Sequence, residues 1–142
     1  MTDTKTNGSP QTPAEAAAAA LDAIENYPAA FNMNEWVRLP GTPRLAPDQP
    51  PVCGTTLCAA GWVAHVTGWA IVDLPEGETE DIPTTSAGRQ YVEAAEVYAE
   101  KDGEKRLIWD VAREALGLNE GQTFWYDGPN EARQRLREIA DR

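Results

Sequence analysis

The chain has 142 residues, 42% of them hydrophobic and 25% charged, and its 12 Lys+Arg against 23 Asp+Glu leave a formal net charge of −11. That is enough apolar material for one core, and five tryptophans exclude a disordered chain. A strongly acidic balance argues against direct nucleic-acid binding, which needs a clustered positive surface. No apolar run approaches the roughly 20 residues that span a bilayer.

Residues 1–12 are polar and aperiodic, which predicts a flexible tail without a signal-peptide core and hence a cytoplasmic protein. A single helical domain over 13–142 follows. Thr12 as N-cap, Pro13 at the first helical position and Glu15 three residues after Thr12 form a capping-box pattern. The alanine run behind them has the highest helix propensity available, and Pro28 ends the segment near Tyr27. Phe31, Met33 and Trp36 suggest a short helical turn. Residues 38–52 hold Pro40, Pro43, Pro47, Pro50 and Pro51 and are expected to form an irregular loop.

The segment from about 56 to 67 is apolar almost all round, which predicts a buried central helix. Gly61, Ala64 and Gly68 place small residues on one side of it, so another backbone can approach closely there, in the core or across a homodimer. Ala70–Leu74 reads as a short strand without an evident partner. Pro75–Pro83 reads as an acidic loop, and Thr85 or Ser86 as the cap of a helix over about 87–101. Asp102-Gly103 breaks that helix, and another follows over 104–116. Asn119 caps a short helix with Phe124 and Trp125, and a last helix runs from about 130 to 140. The expected fold is therefore mainly α, with five to six helices around helix 56–67 and irregular proline-rich and acidic loops.

The charge is unevenly spread. Residues 1–50 carry −3, residues 51–100 carry −7 and residues 101–142 carry −1. The middle excess centres on Glu76, Glu78, Glu80 and Asp81, together with Glu93, Glu96 and Glu100. Such a stretch serves solubility or meets a basic partner.

The run Cys53-Gly54-Thr55-Thr56-Leu57-Cys58-Ala59-Ala60-Gly61-Trp62 resembles the Cys-Gly-Thr-x-x-Cys-x-Ala-Gly-Trp signature of a group of small actinobacterial and actinophage proteins. Tyr27-Pro28 with Phe31-Asn32-Met33 and Trp36 is similar to that group's upstream stretch. Ala115-Leu116-Gly117-Leu118 with Phe124-Trp125 is similar to its downstream stretch, although Phe-Trp stands where Leu-Phe is usual. The resemblance covers about residues 20–140. It implies a phage or actinobacterial setting and, with it, a host-directed protein. It implies no particular activity.

The chemistry-bearing residues permit several arrangements. Cys53 and Cys58 are either two free thiols or, if the chain folds back before the helix, a disulfide, which a reducing cytoplasm disfavours. Cys53, Cys58 and His65 lack the paired ligand spacing of structural zinc. His65 lies two helical turns beyond Cys58, about 10 Å along the axis, too far to activate its thiol. Thr55 and Thr56 ahead of the helix suit either capping or a small anion site. Phe124-Trp125-Tyr126 cannot all point inward, so an aromatic is expected at the surface.

These observations favour a non-catalytic binding protein without cofactor or metal. Its surface would combine Glu76, Glu78, Glu80 and Asp81 with Trp125 and Tyr126, and it would block a basic host protein sterically. The competing expectation is a small-ligand sequestering protein or minor enzyme, with a site at Cys53, Thr55, Thr56, Cys58 and His65.

Overall fold

The structure is a computed structural model that describes residues 10–51 and 53–142. Most of the expected tail, residues 1–9, lies outside the described residues. The N-cap at Thr12 stands as expected. Its hydroxyl accepts from the Glu15 amide at 3.1 Å, and the Glu15 carboxylate accepts from the Gln11 amide at 2.7 Å. Helix α1, Pro13–Asn26, follows and buries Ala16, Ala17, Ala20, Leu21 and Ile24. A 3₁₀ turn at Pro28–Ala30 closes it.

The mainly α expectation is overturned. Among the described residues four α-helices stand beside eight strands in antiparallel sheets, so the fold is mixed α and β. Strands β1 (Val37–Arg38) and β3 (Thr56–Leu57) pair with each other. Strands β2 (Arg44–Leu45), β4 (Ala70–Asp73), β7 (Val97–Lys101) and β8 (Glu104–Arg106) form a four-stranded sheet in the order β2-β4-β7-β8. Strands β5 (Glu80–Ser86) and β6 (Arg89–Ala95) form a hairpin of their own. Helix α2 is Ala59–Val66, α3 is Ile108–Ala115 and α4 is Pro129–Ala140.

The largest correction concerns residues 80–106. The expected acidic loop keeps its turn before β5, but Glu80 and Asp81 are strand residues. The helix expected over 87–101 is β6 and β7 instead. Along β5, Ile82 and Thr84 are buried while Asp81, Pro83 and Thr85 are exposed, the period of two that marks a half-covered strand. Ala87 and Gly88 both have positive φ, at 52° and 77°, and join Ser86 to Arg89 in a two-residue turn of the primed kind. Asp102-Gly103, at 52° and 84°, does the same between β7 and β8. Helix propensity in the 91–101 stretch yields to this pairing, because the two tight turns fix the register of every strand around them.

Helix α2 is the buried centre of the fold, though shorter than expected. Thr56 and Leu57 precede it as strand, and Cys58 is its N-cap. All of Ala59–Ala64 is buried. α2 packs against α1 and α3, and α1 also packs against α4. The sheet strand at Ala70–Asp73 finds its partners in β2 and β7. The small-residue side of α2 is filled from within. A Cβ on Gly61 would stand 3.1 Å from the Leu57 Cβ and 3.4 Å from the Trp36 carbonyl oxygen. Gly61 and Ala64 therefore face the core. No helix among the described residues is long and apolar enough to cross a membrane.

Candidate functional site

The expected sites are dispersed by the fold. Cys58 is buried at the start of α2, where loss of solvent pushes its thiol up to about 11, against lesser opposing help from the backbone. It is therefore a neutral, inert thiol at ordinary pH. Cys53 is exposed, both cysteines are free, and the disulfide alternative falls away. Thr55 is buried in the approach to β3, and Thr56 pairs in β3 opposite Arg38. Neither caps α2, whose N-cap is Cys58 without a side-chain hydrogen bond.

His65 sits at the other end of α2, in its last turn. Its Nε2 lies 3.1 Å from the Ala46 carbonyl and 3.1 Å from the Gln49 carbonyl. Two acceptors at one nitrogen require Nε2 to carry a hydrogen and donate to both. Burial holds the ring below its ordinary value, and the two carbonyls and Asp48 only partly offset this. His65 is thus a strut for the proline-rich strap 46–51. Cys53 and His65 line separate cavities, one against Tyr27–Ala30 and one against α1 and the strap. No group of three or more His, Cys, Asp and Glu suited to a metal occurs among the described residues.

The acidic and aromatic halves of the other expected surface are also apart. Glu76 and Glu78 are exposed in the turn before β5, Asp81 is exposed, and Glu80 pairs with Lys105 at 3.0 Å. The aromatics lie beyond the far end of β5, about 20 Å away at roughly 3.4 Å per residue. Trp125 is buried, which corrects its expected role as an exposed anchor; Tyr126 is 91% exposed.

What the fold assembles instead is a cleft of about 190 Å³ at that far end, between β5, α3 and the segment 120–126. One wall is aromatic. The Trp36 ring lies 4.8 Å from the Trp109 ring, tilted by 41°, and meets Tyr126 edge-on at 5.8 Å and 77°. Trp125 also lines the cleft. The opposite wall is the inward face of the hairpin, with Thr84 and Tyr91, and the rim carries Thr85 and Ser86.

The floor is polar and charged. Asp110 lies in the first turn of α3, where the helix dipole favours a carboxylate. It accepts a buried hydrogen bond from the Thr84 hydroxyl, and the Arg113 guanidinium stands 3.5 Å from its other oxygen. Glu120 reaches the rim and accepts from the Ala87 amide at 3.1 Å. The cleft therefore carries two carboxylates against one guanidinium. A second groove of about 280 Å³ shares Thr84, Asp110 and Arg113 and runs on toward Arg106 and Glu114, which pair with each other. The hydrogen bond between them holds Arg106 above and Glu114 below their ordinary values, and burial opposes both shifts without cancelling them.

Sequence reasoning missed Trp36, Thr84, Asp110, Arg113 and Glu120 as site residues. A trace existed for Asp110, which stands three residues after Leu107 on the rim of an otherwise apolar helix face. Thr84 leaves no trace, because the pattern around it predicts a loop leading into a helix.

No family model, curated protein or solved structure compared with the chain matches it.

Proposed function

We propose that this is a non-catalytic binding protein that seats a cationic side chain of a partner protein in the Trp36–Tyr126 cleft and blocks that partner sterically. The observation that carries the reading is the solvent-open aromatic wall of Trp36, Trp109 and Tyr126 beside two carboxylates, Asp110 and Glu120, in one cleft. A guanidinium or ammonium over such rings gains about 0.5–2 kcal/mol, and an adjacent carboxylate adds charge-assisted hydrogen bonds. The net charge of −11 draws a basic partner in from a distance. Glu76, Glu78 and Asp81 strengthen that field without lining the cleft. Catalysis receives no support, because Cys58 is buried and neutral and His65 is bound to carbonyls. The cytoplasm of an actinobacterial cell, with a host protein as target, belongs to the same proposal and rests on the motif resemblance alone.

The test is a tryptophan-fluorescence titration with short peptides. Arginine- or lysine-rich peptides are expected to shift the emission, less so as salt rises, and acidic peptides to leave it unchanged. Tyr126→Ala and Glu120→Gln each weaken the response severalfold. Equal response to acidic and basic peptides, or none to either, removes the proposal.

A further inference from the structure

The hairpin β5–β6 has one side turned to α3 and β8 and one side turned to solvent. With Ser86 and Arg89 flanking a two-residue turn, hydrogen-bonded pairs alternate from there: Ser86 with Arg89, Thr84 with Tyr91, Ile82 with Glu93, Glu80 with Ala95. Pro83 falls opposite Val92 at a non-bonded position, which its missing N–H requires. The backbone groups of Gln90, Val92 and Ala94 consequently point away from β5, and β6 has no other strand partner among the described residues. Natural edges are blunted by charged side chains, above all lysine, by proline or by a bulge. This one has no lysine and no proline over its seven residues, its two charges being Arg89 and Glu93, and Val92 is 61% exposed.

The strand is also complementary to itself in charge. Arg89 and Glu93 lie on the same face of β6, and among the described residues neither takes part in an ion pair. We propose that β6 is the contact edge of a homodimer, in which a second copy of this chain adds its own β6 antiparallel about a two-fold axis at Val92. In that register Val92 faces Val92 and Gln90 faces Ala94 through the free backbone groups. Arg89 of each copy lies diagonal to Glu93 of the other, within reach of long side chains. Two copies of net charge −11 repel, but at 0.15 M salt the Debye length of about 8 Å screens distant charges far more than these adjacent ones. The two hairpins become one four-stranded sheet, and the two clefts lie on one assembly.

Sedimentation equilibrium at 0.15 M salt, from low to high micromolar protein, should show the mass double. Val92→Pro removes an edge amide without touching a bond inside the hairpin and should hold the chain monomeric. Val92→Lys serves the same purpose if the proline variant does not fold. Arg89→Glu and Glu93→Arg should each weaken the dimer at least tenfold, and the two together should restore it. A monomer at every concentration overturns the proposal. So does a dimer indifferent to Val92→Pro, Val92→Lys and the charge exchange. Neither outcome bears on the peptide titration, which reads the cleft of a single chain.

Discussion

Thr84 and Asp110 are 26 residues apart, yet the Thr84 hydroxyl donates a buried hydrogen bond to the Asp110 carboxylate and so pins the hairpin to helix α3. This one bond closes the cleft on the hairpin side. Thr84→Val leaves a buried carboxylate short of a donor, which costs about 1–3 kcal/mol. Urea unfolding should register that loss. Thr84→Ser should keep most of the stability, and a valine variant as stable as the parent would show the bond to be dispensable.

His65 makes stability depend on pH in a defined direction. Its folded value lies below the unfolded one of about 6.5. The unfolded chain therefore takes up a proton first, and stability declines as pH falls from about 6.5 through the folded value. Above that range the contribution is complete. His65→Gln should flatten this part of the pH profile. An imidazole NMR titration should place the folded value under that of a free histidine; a midpoint above it would refute the strut geometry.

The two cysteines should differ sharply in reactivity. Cys53 is exposed, whereas Cys58 is buried with its thiol pushed up to about 11. A thiol reagent at pH 8 should consume one equivalent rapidly, and the second only on unfolding. Cys53→Ser should abolish the rapid phase.

Gly61 inverts the usual helix rule. In an exposed helix Gly→Ala gains about 1 kcal/mol. Here the new methyl would stand 3.1 Å from the Leu57 Cβ, fixed in the β1–β3 pair, and 3.4 Å from the Trp36 carbonyl oxygen, which accepts from the Cys58 amide. Gly61→Ala should therefore destabilise by about 1–3 kcal/mol, the usual range for overpacking. Thermal unfolding gives the sign directly.

Ala87 holds a left-handed conformation at φ 52°, which costs a non-glycine residue roughly 1 kcal/mol. Ala87→Asn creates the Asn-Gly turn pair that this geometry favours and should raise stability by about 0.5–1 kcal/mol. A lower urea midpoint in that variant would mean that Ala87 makes a compensating contact.

Part of the fold is legible in the sequence because local physics decides it. The cap at Thr12, the helix after it, the burial of the 59–64 run, the stop near Tyr27 and the exposure of one residue among 124–126 all follow from short-range rules of capping, propensity and periodicity. The resemblance motif around Cys53–Trp62 proves to be a strand, cap and buried helix start, with the Trp62 indole donating to the Ala30 carbonyl at 3.2 Å. The rest depends on contacts between segments distant in the chain. Residues 87–101 contain helix formers, and their strand identity comes from partners up to about 30 residues away that no local pattern names. The cleft has the same origin. Trp36, Thr84, Asp110 and Tyr126 belong to four separate stretches of chain, and sheet pairing with helix packing sets the distances between them. The −7 of residues 51–100 was legible as a number, but it lies on a turn, a hairpin and a sheet strand rather than on one helix face. Charge is a property of composition, whereas the face it occupies depends on which backbone groups find partners.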